Sequence, residues 1–199
     1  MESPKISNAW EFINRQYSIT IDYKCGYCER EVSSEKGMFA NGSNMFAMIC
    51  PSCGCVSMIE NEEGGYQMPG SAYGRKIKNL PEIVSYLYKE ARDCYKIQAY
   101  TAVILISRKA LANVAIYFGA EDGNKFTYYV NFLVEEGYIP KRNKKVIDKI
   151  RTEGNSATHN KTSKNSKDAK DILNLLEMLL LINFEYNDEH QDSNDQTPD

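Results

Sequence analysis

The sequence predicts a mainly α fold, an antiparallel helical bundle preceded by a small β module that holds a metal. Three observations carry that expectation. Two C-x-x-C pairs, Cys25/Cys28 and Cys50/Cys53, stand among short β-type runs in the first third of the chain. From Leu80 onward the apolar residues recur at three- and four-residue steps, the period of a helix with one buried face. Between the two patterns lies EGGYQMPGSAYGR, rich in glycine with one proline, which reads as a linker. The expected organisation is an N-terminal segment (1–18), the metal module (19–62), the linker (63–79), the bundle (80–187) and an acidic disordered tail (188–199).

In the metal module, 21 residues separate Cys28 from Cys50. A C-x-x-C turn aims two sulfurs at one point, and two such turns supply the four thiolates that a structural zinc ion takes tetrahedrally. Gly26 lies inside the first turn and Gly54 follows the second. Runs at Ser18 to Tyr23, Met45 to Ile49 and Val56 to Ile59 suit short hairpins carrying the two knuckles. The segment resembles a zinc ribbon, with CPSCG as its second knuckle, and one structural zinc per chain is expected on Cys25, Cys28, Cys50 and Cys53. Cys55 follows the second knuckle too closely to join the same tetrahedron easily. Four thiolates leave no open position, so zinc is not expected to be catalytic.

The helices follow in order. LPEIVSYLYKEARDCYKIQ places Pro81 where a first helical turn tolerates it, with Ile83, Leu87, Ala91, Cys94 and Tyr95 as its apolar positions. AYTAVILISRKALANVAIYFG is apolar nearly all round and is expected to be the central helix, ended by Gly119. KFTYYVNFLVEEGYI, KRNKKVIDKIRTEGN and DAKDILNLLEMLLLINFEYN supply the third, fourth and fifth. Short connections favour antiparallel neighbours. Arg108 interrupts the second helix and, if buried, needs an acid or a phosphate as partner.

Composition and charge bound the function. With 42% hydrophobic and 26% charged residues and a net charge of −3, the chain has the composition of a soluble protein. No apolar run reaches the roughly 18–20 residues that span a bilayer. The start, MESPKISNAWEF, lacks the basic flank and apolar stretch of a signal peptide. A cytoplasmic location follows as an expectation, and a reducing compartment argues against disulfides. Residues 141 to 170 hold ten Lys/Arg against three Asp/Glu, whereas the tail after Tyr186 has five acids and no Lys or Arg. The basic stretch suits a phosphate backbone, which makes Lys141, Arg142, Lys144, Lys145 and Lys149, with Arg108, candidates for nucleic-acid contact. A solvated helix face is the plainer alternative.

Inside that stretch, IRTEGNSATH spaces Arg151, Asn155 and His159 at successive four-residue steps. On a continuous helix they fall within about 80° of one another along about 12 Å. Arginine can neutralise charge developing on phosphoryl oxygens. Histidine can move a proton near neutral pH, and asparagine can orient either group. Alternatively, Gly154-Asn155 is a helix stop and His159 a loop residue. Carboxylates are sparse nearby, with only Asp148 and Glu153, which disfavours a two-metal nuclease.

The helical half resembles an uncharacterised helical family of the HEPN (higher eukaryote and prokaryote nucleotide-binding) superfamily. The landmarks are YKEARDCY (Tyr88 to Tyr95), AYTAVILISRKAL (Ala99 to Leu111) and IRTEGNSATH (Ile150 to His159), the last fitting an R-x-x-G-N-x-x-x-H signature. The similarity covers roughly residues 80 to 187, and relatives commonly carry an upstream zinc-ribbon-like segment. The resemblance implies a HEPN-like bundle and metal-independent endoribonuclease activity with no catalytic cofactor, in a homodimer that serves as a bacterial defence or toxin-type effector. It implies Arg151 as phosphate ligand, His159 as proton-transfer residue and Asn155 between them. Two features depart from the pattern: seven residues separate Arg151 from His159, more than the wider superfamily has, and Ala112 stands where relatives often carry an acid. An alternative reading is a non-catalytic module that binds nucleic acid, or a protein partner in a restriction or phage-defence system. A weaker one is a DNA-binding accessory factor using the ribbon and the basic stretch.

Overall fold

A computed structural model describes residues 10–13, 19–63, 65–140 and 165–186. The chain divides into two compact units, Met1–Ala72 and Tyr73–Asp199.

In the first unit seven short strands form two antiparallel sheets. β1 (Trp10–Phe12), β4 (Gly37–Ala40), β5 (Met45–Ile49), β6 (Val56–Glu60) and β7 (Gln67–Met68) make a five-stranded sheet in the order β1-β4-β5-β6-β7. β2 (Ile21–Lys24) and β3 (Glu31–Ser34) form a separate hairpin. Alternation sets the faces: Ser57 and Ile59 on β6 are buried while Val56 is exposed. Ile21, Tyr23 and Met48, with Ile59, build a small core around Cys25 and Cys50.

The second unit contains α1 (Glu82–Lys96), α2 (Tyr100–Tyr117), α3 (Phe126–Glu135) and α4 (Ser166–Leu180), the last continuing as a π-helical turn over Leu181–Glu185. α2 packs on each of the other three helices, through Val103, Ile104, Ala110, Leu111 and Val114. Pro81 occupies the N-cap position of α1. Gly119 and Gly137, both at positive φ, follow the ends of α2 and α3, where only glycine is unstrained. α4 opens with a capping box in which the Asn165 and Asp168 side chains each accept the other's backbone N–H. In the π turn, the buried Asn183 amide donates to the carbonyls of Leu179 (2.8 Å) and Tyr138 (3.2 Å). Among the described residues, no helix is long and apolar enough to cross a membrane.

The expected fold class is overturned. The chain is mixed α and β rather than a mainly α, HEPN-like antiparallel helical bundle: 18% of the described residues are strand against 43% helix, with a five-stranded sheet. The extra strands escape sequence reading because they are two to four residues long and lie among turn-formers, as in GMFA before NGSN. β1 falls in the segment assigned no structure, and β7 in the stretch read as a linker. The phase of α1 also differs, since Val84 is buried while Ile83 is 49% exposed.

Residues just before α1 bind its helices closely. Arg92, only 4% exposed, donates from Nε to the Tyr73 carbonyl (3.0 Å) and from Nη2 to that of Gly74 (2.8 Å). The Tyr88 hydroxyl donates to the Arg75 carbonyl at 3.0 Å, and Arg75 pairs with Glu185 at 2.7 Å. Tyr73, Ile77 and Leu80 pack against the helical core.

Candidate metal centre

Each cysteine pair sits at the tip of a hairpin, Cys25 and Cys28 between β2 and β3, Cys50 and Cys53 between β5 and β6. The two turns have one backbone design. The N–H of the leading cysteine donates to the carbonyl five residues on, from Cys25 to Arg30 and from Cys50 to Cys55, both at 2.9 Å. The N–H four residues on returns to the cysteine carbonyl, from Glu29 to Cys25 and from Gly54 to Cys50, again at 2.9 Å. That fourth residue is left-handed in both turns, with φ of 63° at Glu29 and 74° at Gly54. Backbone N–H groups of Tyr27 and Cys28 point at the Cys25 sulfur, that of Arg30 at Cys28 and that of Cys55 at Cys53. Such donors favour thiolates.

Side chains hold the two tips together. Ser34 Oγ donates to the Ile49 carbonyl at 2.6 Å and Arg30 Nη1 to Ser52 Oγ at 2.6 Å. A Cβ on Gly26 would run into the carbonyl oxygens of Pro69 and Gly70, so glycine lets this loop close over the first turn. Gln67 Nε2 donates to the Lys24 carbonyl at 2.8 Å on the same side.

All four sulfurs lie within 4.8 Å of one another, and Cys25–Cys53 and Cys28–Cys50 are each 3.8 Å apart. A tetrahedral ion with metal–sulfur bonds of about 2.3 Å puts its sulfurs about 3.8 Å apart, so the residues fit a tetrathiolate metal site. A disulfide needs about 2.05 Å, and all six cysteines are free. The electrostatics agree with the geometry. The Arg30 N–H lowers the Cys28 thiol to about 7. Cys53 is pushed up to about 12: the Cys55 N–H favours its thiolate, but local desolvation and hydrogen bonds with Cys50, Cys25 and Cys55 outweigh it. Four thiolates this close repel one another unless a cation neutralises them, and a bound metal reverses that balance.

Beneath the site, the Tyr23 hydroxyl is buried and has no hydrogen-bond partner among the described residues. Its titration is pushed up to about 12 by burial and then by the nearby cysteines. Cys55 stays outside the cluster, its thiol facing the Cys53 carbonyl at 3.9 Å. Cys94 lies far along the chain on α1, where burial raises its thiol.

Arg108 on α2 holds its guanidinium 4.3 Å from the centroid of Phe126 on α3, and partial burial lowers its pKa. An aromatic face is thus one counterpart of this cation. Lys141, Arg142, Lys144, Lys145, Lys149, Arg151, Asn155 and His159 lie outside the described residues, as does the acidic tail. Sequence reading missed the buried Arg92 and the paired left-handed positions. Only the C-x-x-C spacing, repeated with a glycine after the second pair, hinted at the latter.

No curated protein and no solved structure matches the chain. Residues 89–196, more than half of its length, match the family described as Domain of unknown function (DUF4145). The chain therefore belongs to that family.

Proposed function

We propose that the protein is a metal-independent endoribonuclease of the HEPN superfamily whose N-terminal unit is organised by one structural zinc ion. The observation that carries the catalytic part is the R-x-x-G-N-x-x-x-H sequence at Arg151, Asn155 and His159 within a basic stretch. The tetrathiolate geometry supports the zinc part. Tetrahedral sulfur sites suit zinc or iron–sulfur chemistry, and a zinc ion closed off by four thiolates adds stability without reactivity.

In the proposed reaction the RNA 2′-hydroxyl attacks the adjacent phosphorus while His159 takes its proton. The bond from phosphorus to the 5′-oxygen breaks, and that oxygen gains a proton from the protonated imidazole of His159 in a second copy. The products are a 2′,3′-cyclic phosphate and a 5′-hydroxyl end. Arg151 neutralises charge on the non-bridging oxygens, and Asn155 orients the phosphate. The chain has two histidines, and the other, His190, lies in the acidic tail, which is why a second copy is invoked.

Labelled tRNA and mRNA incubated with zinc-loaded protein, without magnesium, test this reading. Cleavage is expected, and His159→Ala and Arg151→Ala are each expected to slow it by about 10²–10⁴-fold. Undiminished cleavage by His159→Ala contradicts the mechanism, and RNA binding without scission by the wild type favours the non-catalytic module.

A further inference from the structure

The five-stranded sheet carries apolar side chains on both faces. Its inner face carries Met48, Ser57 and Ile59 into the small core beside the cysteines. On its outer face a single cross-strand row runs unbroken through all five strands: Phe12, Met38, Ala47, Met58, Met68. Side chains paired in this way project from the same face, so the row forms an apolar band about 19 Å long. Trp10 lies beside it on β1, and Ile49 faces Val56 across the next row. None of these side chains belongs to either buried cluster. Phe12 is 71% exposed, Val56 48%, Ile49 40% and Trp10 38%. An antiparallel sheet that faces water ordinarily turns polar residues outward, and here Glu60 is the only charged side chain on the outward-facing strand positions.

We propose that this face is a self-association surface, on which a second copy packs its own sheet face to face. Area favours a second copy. With about 150–250 Å² for a whole aromatic side chain and somewhat less for Ile or Val, these four exposures leave roughly 400 Å² of apolar surface open, to which the half-buried Met38, Met58 and Met68 add. Pairing two copies buries at most about 1,000 Å², the lower end for a specific interface, which suits association in the micromolar range. Charge argues the same way, because the outward strand positions carry no lysine or arginine, and a single lysine, Lys36, flanks them at the end of β4 beside Ile49. Thioether side chains conform to an irregular opposing surface, and the row presents three of them. Two sheets stacked about 10 Å apart reproduce the layering that buries such faces within single domains.

This assignment does not depend on ribonuclease activity, and its test separates the two. Trp10 is the only tryptophan in the chain and lies on the proposed interface, so its fluorescence reports contact there. Sedimentation equilibrium of the zinc-loaded full chain, paired with acrylamide quenching of Trp10 across the same dilution series, is the experiment. A dimer is expected at about 10–100 µM, with Trp10 becoming several-fold more quenchable as it dissociates. Phe12→Asp, on an exposed edge strand, is expected to weaken association at least about tenfold with zinc content unchanged. Asp22→Lys, on the separate hairpin, is expected to leave it alone, as is His159→Ala. A chain that sediments as a monomer at about 100 µM, or a dimer whose Trp10 quenching does not change on dilution, overturns the proposal.

Discussion

Gly54 and Arg92 show what single residues contribute. At φ of 74° Gly54 is left-handed, and a Cβ there meets nothing within 4 Å. Gly54→Ala removes no contact, so its cost is purely conformational, about 1–2 kcal/mol. Chemical denaturation of the metal-loaded protein is expected to show that loss in the N-terminal transition alone. Arg92 is a different case. Arg92→Met keeps most of the apolar stem but strands the Tyr73 and Gly74 carbonyls, at an expected cost of about 2–4 kcal/mol in the helical unit, read from its thermal or denaturant midpoint. The cysteines were legible in the sequence because spacing alone identifies a chelating pair. Arg92 was not, because a buried arginine inside YKEARDCY looks like any charged position on a helix until its carbonyl partners, 18 and 19 residues earlier, are known.

At the scale of elements, the two hairpin tips act as one device. Each supplies a leading cysteine that is buried and a trailing one nearer solvent, Cys28 and the exposed Cys53. Since Cys55 turns its thiol to a carbonyl outside the cluster, the two neighbours on the second hairpin are not interchangeable. Cys55→Ser is expected to leave metal stoichiometry unchanged, whereas Cys53→Ser is expected to reduce metal affinity by at least about 100-fold, both measured by competition with a chromophoric chelator. β5 and β6 were readable because their apolar runs are five residues long. β3 and β4 were not, since EVSS and GMFA are short and rich in small residues. The double-sided sheet also hides its own periodicity: where both faces are apolar, alternation disappears and MFAMI reads as one apolar run. In α1 the presence of a helix was clear, but several apolar residues compete for the buried face, and packing selects Val84 over Ile83.

Across the whole molecule, the two units differ in what holds them together. Among the described residues, the helical unit buries 23 apolar residues in one cluster, while the N-terminal unit's cluster has six, two of them the site cysteines Cys25 and Cys50. A core that small is expected to need a bound ion for stability. Removing the ion is expected to abolish the N-terminal transition while far-ultraviolet circular dichroism retains most of the helical signal; simultaneous loss of both would contradict this division. The division itself was visible in the sequence as a change of period, but the amount of sheet was not, and the chain is mixed α and β as a result. The four-cysteine centre underlies this division of the molecule, and native mass spectrometry of the purified full chain tests it. One zinc ion per chain is predicted, and it is absent from the Cys25→Ser variant. A metal-free chain that remains fully folded, or zinc retained undiminished by Cys25→Ser, would contradict it.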